Sequence, residues 1–157
     1  MPVKLAVLKE TRAFEKRVAL VPAVADKLAK LGLEVSLQSS AGDAVKLPDA
    51  AFKGVHAIAN PQGMVGDADI VCAVNPPSLD VVEAMKEGSI LISFIYAHKE
   101  VELVKKLRDK KITCFAMELV PRITRAQAMD ALSSQAALAG YYAALMGATQ
   151  IARILPM

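Results

Sequence analysis

Polar side chains that could bind a ligand are concentrated in one segment of the chain. This segment contains Arg122, Gln127, Asp130 and Ser133. A guanidinium can hold a phosphate or a carboxylate through two parallel hydrogen bonds. Short amide, carboxylate and hydroxyl groups suit fixed hydrogen bonds to an amide or a ribose better than they suit solubility. The sequence therefore indicates a ligand site at the entrance of a helix, whose N-terminus adds its own affinity for anions.

A purely structural interpretation of the same residues is also open. Thr124 lies three residues before Gln127 and ahead of an Ala-rich helical pattern, which predicts a capping box. On a helical wheel the polar residues share an arc of roughly 120°. Its members are Gln127, Asp130, Ser133, Ser134 and Tyr141. Any amphipathic helix shows such a division, so the arc alone does not separate solvent exposure from binding.

The rest of the chain alternates between β-type and helical patterns. Most of the β-type runs are continuously apolar, which favours strands that are covered on both faces, as in a parallel sheet. The predicted strands are Lys4–Leu8, Glu34–Leu37, Ile70–Val74, Ile90–Ile95 and Ile112–Ala116, with a weaker one at Val55–Ile58. A short helix is expected at Asp49–Phe52. The pattern predicts an α/β fold: a single flavodoxin-like or Rossmann-like lobe with a mostly parallel sheet, flanking helices and a long C-terminal helix.

The predicted helices begin near Pro22, Ser78 and Lys99, with Gly32 and Gly88 ending the first two. Ser78 is expected to cap its helix through its side chain.

The long C-terminal helix is predicted over Ala131–Ala152, and it contains no charged residue. Its small residues would allow another helix to approach closely, within this lobe or from a partner subunit. Ser133, Gln135 and Thr149 make it a poor membrane segment, so no direct insertion into a membrane is expected. The helix continues almost to the end of the chain at Ile154–Met157, which indicates a missing second domain or a partner.

Composition excludes several classes of protein. The chain has 157 residues, of which 54% are hydrophobic and 22% charged, so it is long and apolar enough to form a folded core. A dispersed net charge of +3 does not predict a nucleic-acid partner.

Cys72 and Cys114 lie in apolar runs without metal-ligand spacing, which indicates buried free thiols and no metal site. Without a signal peptide, the expected location is cytoplasmic. No G-x-G-x-x-G motif follows a strand, so no dinucleotide fingerprint is present.

Two motifs carry a resemblance to a known family. The segment from Val120 to Ser134 resembles the signature of proton-translocating NAD(P) transhydrogenase alpha subunits. A second segment, Lys9-Glu10-Thr11 with Glu15 to Pro22, is similar to an N-terminal motif that these subunits share with alanine dehydrogenases. The resemblance covers nearly all of residues 1–157 and corresponds to the first lobe of the NAD(H)-binding component. In that family a second, Gly-rich Rossmann lobe completes the cleft, and that lobe is absent from this chain.

The resemblance implies specific roles for the polar residues. Arg122, Asp130 and Ser133 would contact the nicotinamide end of NAD(H). Gln127 would act in catalysis by reaching toward NADP(H), which is bound by a partner component. Hydride transfer between the two nucleotides would need their rings to be positioned rather than an acid or a base. The implied partners are the membrane and NADP(H)-binding components and a second copy of the chain, with the protein peripheral to the inner membrane.

Two other functions remain open. In alanine dehydrogenases the arginine that corresponds to Arg17 binds the substrate carboxylate, but the chain has Ala73-Val74-Asn75-Pro76-Pro77 where the family has a lysine. Loss of that lysine argues against amino-acid oxidation. The third hypothesis is a non-catalytic module for dimerisation or interaction, formed through the uncharged helix over Ala131–Ala152.

Overall fold

The chain folds into two units, Met1–Ala116 and Met117–Met157. The computed structural model describes residues 2–152. The first unit contains a six-stranded sheet. Its strands are β1 (Val3–Val7), β2 (Leu33–Gln38), β3 (His56–Ile58), β4 (Ile70–Cys72), β5 (Ile90–Ser93) and β6 (Thr113–Ala116). All six predicted strands are therefore confirmed, with ends that differ by a few residues.

The sheet is parallel throughout, with the order β3-β2-β1-β4-β5-β6. The chain thus starts at the centre of the sheet, builds outward to β3 and returns to build the other half from β4. The direction of winding reverses between β1 and β4. In open α/β sheets, the crevice beyond the carboxyl ends of the strands at such a switch point is the usual place for a ligand.

Burial explains why the strands have continuous apolar sequences. Along β1, Leu5 and Val7 contribute to one buried cluster, whereas Ala6 contributes to another. The first cluster also contains Ala25 from the first helix, and the second contains residues of three later helices. A strand that is covered on both faces can be apolar at every position without exposing apolar side chains to water. The expected double-sided cover is confirmed for this central strand.

Residues 2–152 contain five α-helices, four in the unit of the sheet and one in the second unit. They are α1 (Pro22–Lys30), α2 (Pro61–Asp67), α3 (Leu79–Ala84), α4 (Val101–Asp109) and α5 (Ala131–Gln150). Helix α1 starts at Pro22 as expected, because proline has no N–H to lose in a first turn. Gly32 follows its end with φ +87°, a conformation that glycine adopts without strain. The short helix expected at Asp49–Phe52 is a 3-10 helix over Asp49–Ala51.

The sequence predictions for two helices need correction. The sequence patterns do not predict α2, although Asn60 caps it by accepting hydrogen bonds from the backbone N–H groups of Gln62 and Gly63. Helix α3 ends at Ala84, before Gly88, because the chain turns extended at Met85. Ser78 occupies the N-cap position of α3, but its side chain makes no capping hydrogen bond. A capping residue type in the sequence does not fix the rotamer that capping requires.

The second unit consists of 3-10 helices over Met117–Leu119 and Thr124–Met129, followed by α5. Helix α5 confirms most of the predicted C-terminal helix, and none of its residues is buried. Among residues 2–152, no helix combines the length and apolarity needed to span a bilayer. The apolar terminus at Ile154–Met157, on which the expectation of a missing partner rests, lies outside the described residues.

Candidate functional site

The second unit brings the predicted polar residues together through a broken helix entrance. The backbone N–H of Ala126 donates to the carbonyl of Ile123 at 2.9 Å, which closes the turn that starts the 3-10 helix. This helix ends at Met129, and the next residue, Asp130, interrupts the helical path with φ −74° and ψ 85°. Helix α5 then begins at Ala131. The site is thus built on two short segments that meet at Asp130.

Asp130 is the N-cap of α5. Its Oδ1 accepts the backbone N–H of Ser133 at 2.9 Å, and its Oδ2 accepts the hydroxyl of Ser133 at 2.5 Å. The hydroxyl hydrogen bond from Ser133 is the main cause that lowers the pKa of Asp130, with smaller contributions from the Ser133 N–H and the positive charge of Arg122. Asp130 is therefore a carboxylate at neutral pH, and both of its oxygens are held in place.

A cavity of about 470 Å³ opens between these segments. All four ligand-binding residues predicted for this segment line it, together with Ser134 of the predicted polar arc and two residues for which the sequence predicts no such role. The lining residues are Arg122, Ile123, Thr124, Gln127, Asp130, Ser133 and Ser134. Ile123 gives no signal in the sequence because an isolated isoleucine before a helix has no chemical signature of its own.

Two side chains in this cavity have hydrogen-bonding capacity to spare. Within residues 2–152, the guanidinium of Arg122 and the side-chain amide of Gln127 form no hydrogen bond, and both residues are exposed. Arg122 offers donors only, while Gln127 offers a donor and an acceptor. An amide-bearing ligand with a nearby anionic group matches this set, because a carboxamide needs both a donor and an acceptor. The donor set thus fits a carboxamide ligand that carries an anionic group nearby.

Two structural expectations for this segment are wrong. Thr124 and Gln127 do not form a capping box, since Thr124 lies inside the 3-10 helix and the N-cap residue, Ile123, has no side-chain hydrogen bond. The single helical wheel from Gln127 onward also fails. Gln127 precedes the break at Asp130, and Tyr141 does not line the cavity. The local hydrogen bonds of Asp130 with Ser133 decide where α5 starts.

A second polar cluster lies in the first unit, at the carboxyl ends of β1 and β4. The carboxylate of Glu10 accepts the backbone N–H of Val74 at 2.7 Å and the side-chain amide of Asn75 at 2.9 Å. The same amide donates to Glu15 at 2.8 Å. Sequence reasoning missed Glu10 and Asn75, whose proximity follows only once β1 and β4 are known to be neighbours.

Arg17 belongs to this second cluster. Its guanidinium makes two hydrogen bonds to the carboxylate of Glu15, at 2.8 and 2.6 Å. This contact is the main reason why the pKa of Glu15 is lowered from 4.5 to about 2. It also raises the pKa of Arg17. A free carboxylate that binds Arg17 would therefore compete with an internal one.

The cysteines and possible metal ligands add no further site. Cys72 and Cys114 are free thiols, and both are half-buried rather than fully buried as expected. Burial raises the pKa of the Cys72 thiol to about 11. Among residues 2–152, no group of three or more His, Cys, Asp and Glu side chains could hold a metal ion.

Comparisons with known proteins agree with the resemblance found in the motifs. The family model "Alanine dehydrogenase/PNT, N-terminal domain" matches residues 6–139. The chain is 42% identical to the first part of the NAD(P) transhydrogenase subunit alpha of Rhodospirillum rubrum, covering 98% of this chain and 42% of the relative. It is 40% identical to the NAD(P) transhydrogenase subunit alpha of Haemophilus influenzae, covering 92% of this chain and 28% of the relative.

A solved structure supports the same assignment. The transhydrogenase from Sinorhizobium meliloti superposes with a TM-score of 0.90 at 35% identity, covering 98% of this chain and 46% of that chain. The chain thus spans less than half the length of the relatives that it matches. The residues matched by the family model include both motifs of the sequence. The chain belongs to the alanine dehydrogenase/PNT N-terminal domain family.

Proposed function

We propose that residues 1–157 form the first lobe of the NAD(H)-binding component of a proton-translocating NAD(P) transhydrogenase. The observation that carries the proposal is the cavity of the second unit, lined by Arg122, Gln127, Asp130 and Ser133. The resemblance of the segment from Val120 to Ser134 to the transhydrogenase signature implies a ligand-binding role for these four positions. The names of the relatives supply the reaction class.

The residues that line the cavity have two roles, ligand binding and support of the cavity wall. Arg122, with no hydrogen bond to the rest of residues 2–152, binds the nicotinamide end of NAD(H), and Gln127, equally without one, lines the same cavity. Asp130 and Ser133 fix each other and give the cavity a rigid polar wall. Gln127 also reaches toward NADP(H), which a partner component holds. When bound, the two nicotinamide rings supply the hydride donor and acceptor.

This division explains why the site needs no general acid or base. Hydride transfer places no proton on the protein, so the contribution of the chain is orientation. Hydrogen bonds from an amide or a guanidinium to the nicotinamide would restrict rotation of the ring. The ordered N-cap at Asp130 limits movement of that wall. The proposed role is therefore the alignment of two rings rather than chemical participation.

In the proposed assembly the chain binds several partners. A second, Gly-rich lobe would bind the rest of NAD(H), since this chain has no dinucleotide fingerprint. The NADP(H)-binding and membrane components, together with a second copy of this chain, complete the assembly. The component is cytoplasmic and meets the inner membrane through its partners. The uncharged, exposed surface of α5 is available for these contacts.

The alternative is the lobe of an amino-acid dehydrogenase. Arg17 would then bind the carboxylate of the substrate, but it is already paired with Glu15. No lysine is present at Ala73 or at the neighbouring positions as far as Pro77. Two features of the proposed substrate site are therefore unfavourable, and the transhydrogenase function is preferred.

The test uses the complete transhydrogenase that carries this lobe. The change Gln127→Asn shortens the side chain by one methylene and retains the amide. It should slow hydride transfer between NAD(H) and NADP(H) at least about tenfold while changing NADH affinity less than about threefold. Single-turnover kinetics and NADH fluorescence titration measure the two effects separately.

The control for this experiment is Gln135→Asn, which makes the same chemical change in α5 outside the cavity lining. It should leave both quantities unchanged. An equal loss of NADH affinity and rate in Gln127→Asn would contradict the bridging role of Gln127. Oxidation of NADH by the same enzyme that requires both pyruvate and ammonium would instead support the amino-acid dehydrogenase.

A further inference from the structure

The carboxyl edge of the sheet contains hydrogen-bond donors of the kind that bind anions. The backbone N–H groups of Val74 and Asn75 and the side-chain amide of Asn75 converge beyond the end of β4. They lie at the switch point between β1 and β4, where the fold places ligands. Successive N–H groups that point to one place form an anion-binding concavity.

These donors are already occupied by a residue of the same chain. The carboxylate of Glu10 accepts hydrogen bonds from all three, at 2.7 Å from Val74 N, 3.2 Å from Asn75 N and 2.9 Å from Asn75 Nδ2. Glu10 is half-buried and leaves the end of β1 in place of the Gly-rich turn that opens a dinucleotide site. The second hydrogen bond of the Asn75 amide goes to Glu15.

The position of Asn75 is itself fixed from the core side. Ser93 lies at the end of β5 and its side chain is fully buried. Its hydroxyl donates a hydrogen bond to the backbone carbonyl oxygen of Asn75 at 2.9 Å. Asn75 therefore joins β5 to two carboxylates of the loop after β1. Because the loop is held at Glu10 and again at Glu15, it cannot leave the switch point without breaking both contacts.

A cavity of about 220 Å³ remains at this edge, lined by Glu10, Lys9 and Asn75 among others. Its cationic groups offer little to an anion. Arg12 is paired with Glu100 at 2.9 Å, and the exposed ammonium of Lys9 is a mobile point charge without fixed geometry. Glu10 adds a negative charge to the wall, so an incoming phosphate or carboxylate meets repulsion and occupied donors.

We propose that Glu10 is an internal anion that occupies the ligand site at the switch point of the sheet and excludes free carboxylates and phosphates from it, with Asn75 as the residue that positions it. The contact is autoinhibitory in the sense that the chain supplies its own ligand. The proposal is independent of the transhydrogenase function, since all of its residues belong to the first unit.

The first experiment tests the contact in the unmodified 157-residue chain by NMR. A scalar coupling through the hydrogen bond should connect the backbone nitrogen of Val74 with the carboxylate carbon of Glu10. Titration with sodium acetate or inorganic phosphate should produce no saturable shift of the Val74 and Asn75 amide resonances. Absence of the coupling, or a saturable shift with either anion, would overturn the proposal.

The second experiment removes the internal anion. In Glu10→Ala, acetate should shift the same amide resonances saturably, with an affinity at least about tenfold above any binding to the unmodified chain. Acetate should also raise the Tm of this variant. The control Glu102→Ala removes an exposed glutamate that is paired with Lys105, and should gain no response to acetate. A folded Glu10→Ala chain without an acetate response would contradict the proposal, and if this variant does not fold the coupling experiment decides.

Discussion

Asp130 and Ser133 satisfy each other at the first turn of α5: Oδ1 of Asp130 accepts the Ser133 N–H at 2.9 Å and Oδ2 accepts the Ser133 hydroxyl at 2.5 Å. Asp130 and Ser133 are residue types expected in a ligand site, but here they also stabilise the start of a helix. The residues that line the cavity therefore have two different roles. Arg122 and Gln127 keep their hydrogen-bonding capacity for a ligand, whereas Asp130 and Ser133 form the support.

The first prediction concerns the cap. Asp130→Ala should accelerate hydrogen exchange at the Ser133 amide, because that N–H loses its side-chain acceptor. Asp130→Asn retains an acceptor oxygen and should preserve most of the protection while removing the charge. Asp26→Ala, which removes an exposed aspartate inside α1, is the control and should leave Ser133 unaffected. Equal exchange rates in all three variants, measured by NMR, would show that Asp130 does not cap α5.

The second prediction concerns Arg122 in the complete transhydrogenase. Arg122→Ala should weaken NADH binding about tenfold or more, because hydrogen bonds from a charged donor contribute about 1.5–3 kcal/mol. Arg122→Lys should recover only part of the affinity, since an ammonium cannot make two parallel hydrogen bonds. Arg125→Ala changes an exposed arginine that does not line the cavity. Fluorescence titration that gives the same affinity loss for Arg122→Ala and Arg125→Ala would contradict a specific role.

The third prediction is a pH dependence of stability. The pKa of Glu15 is lowered from 4.5 to about 2, mainly by Arg17, so the folded state favours the carboxylate. This stabilisation is fully present above pH 4.5 and is lost as the pH falls toward about 2. Its size is about 1–2 kcal/mol once solvent screening of the partly exposed Arg17 is considered. Denaturant unfolding of the chain at successive pH values measures it.

Glu15→Gln should have a smaller loss of unfolding free energy over that acidic range, because glutamine does not titrate. Glu102→Gln is the matched control in an exposed ion pair with Lys105, and it should retain the pH dependence of the unmodified chain. If Glu15→Gln and the unmodified chain lose stability in parallel, the Glu15–Arg17 pair is not the cause.

The fourth prediction concerns thiol reactivity. Burial raises the pKa of Cys72 from 9.0 to about 11, so its thiolate fraction at pH 8 is about a hundredfold below that of an ordinary thiol. In Cys114→Ser, alkylation of the remaining thiol by iodoacetamide should be slow in the folded chain and fast in denaturant. Rapid alkylation under native conditions, followed by mass spectrometry, would contradict burial of Cys72.

Much of the architecture could be predicted from local sequence. Apolar runs such as that at β4 and the proline that opens α1 reflect local preferences that the fold retains. Helix α2 escapes such a prediction because its sequence contains two glycines and no strong apolar period, so its cap at Asn60 is the main signal. The capping box predicted at Thr124 is wrong because a sequence spacing does not reveal whether a 3-10 or an α-helix follows.

The sequence by itself determined the parallel sheet, because continuous apolar runs are typical of strands covered on both faces. Its two motifs also indicated the family, and through that resemblance the four polar residues that line the cavity. Only the tertiary structure decided that Glu10 meets Asn75 and that Asp130 starts α5. The first contact joins residues far apart in sequence through the pairing of β1 with β4. The start of α5 depends on which nearby side chain accepts a hydrogen bond from the Ser133 N–H. The backbone geometry determines that this acceptor is Asp130.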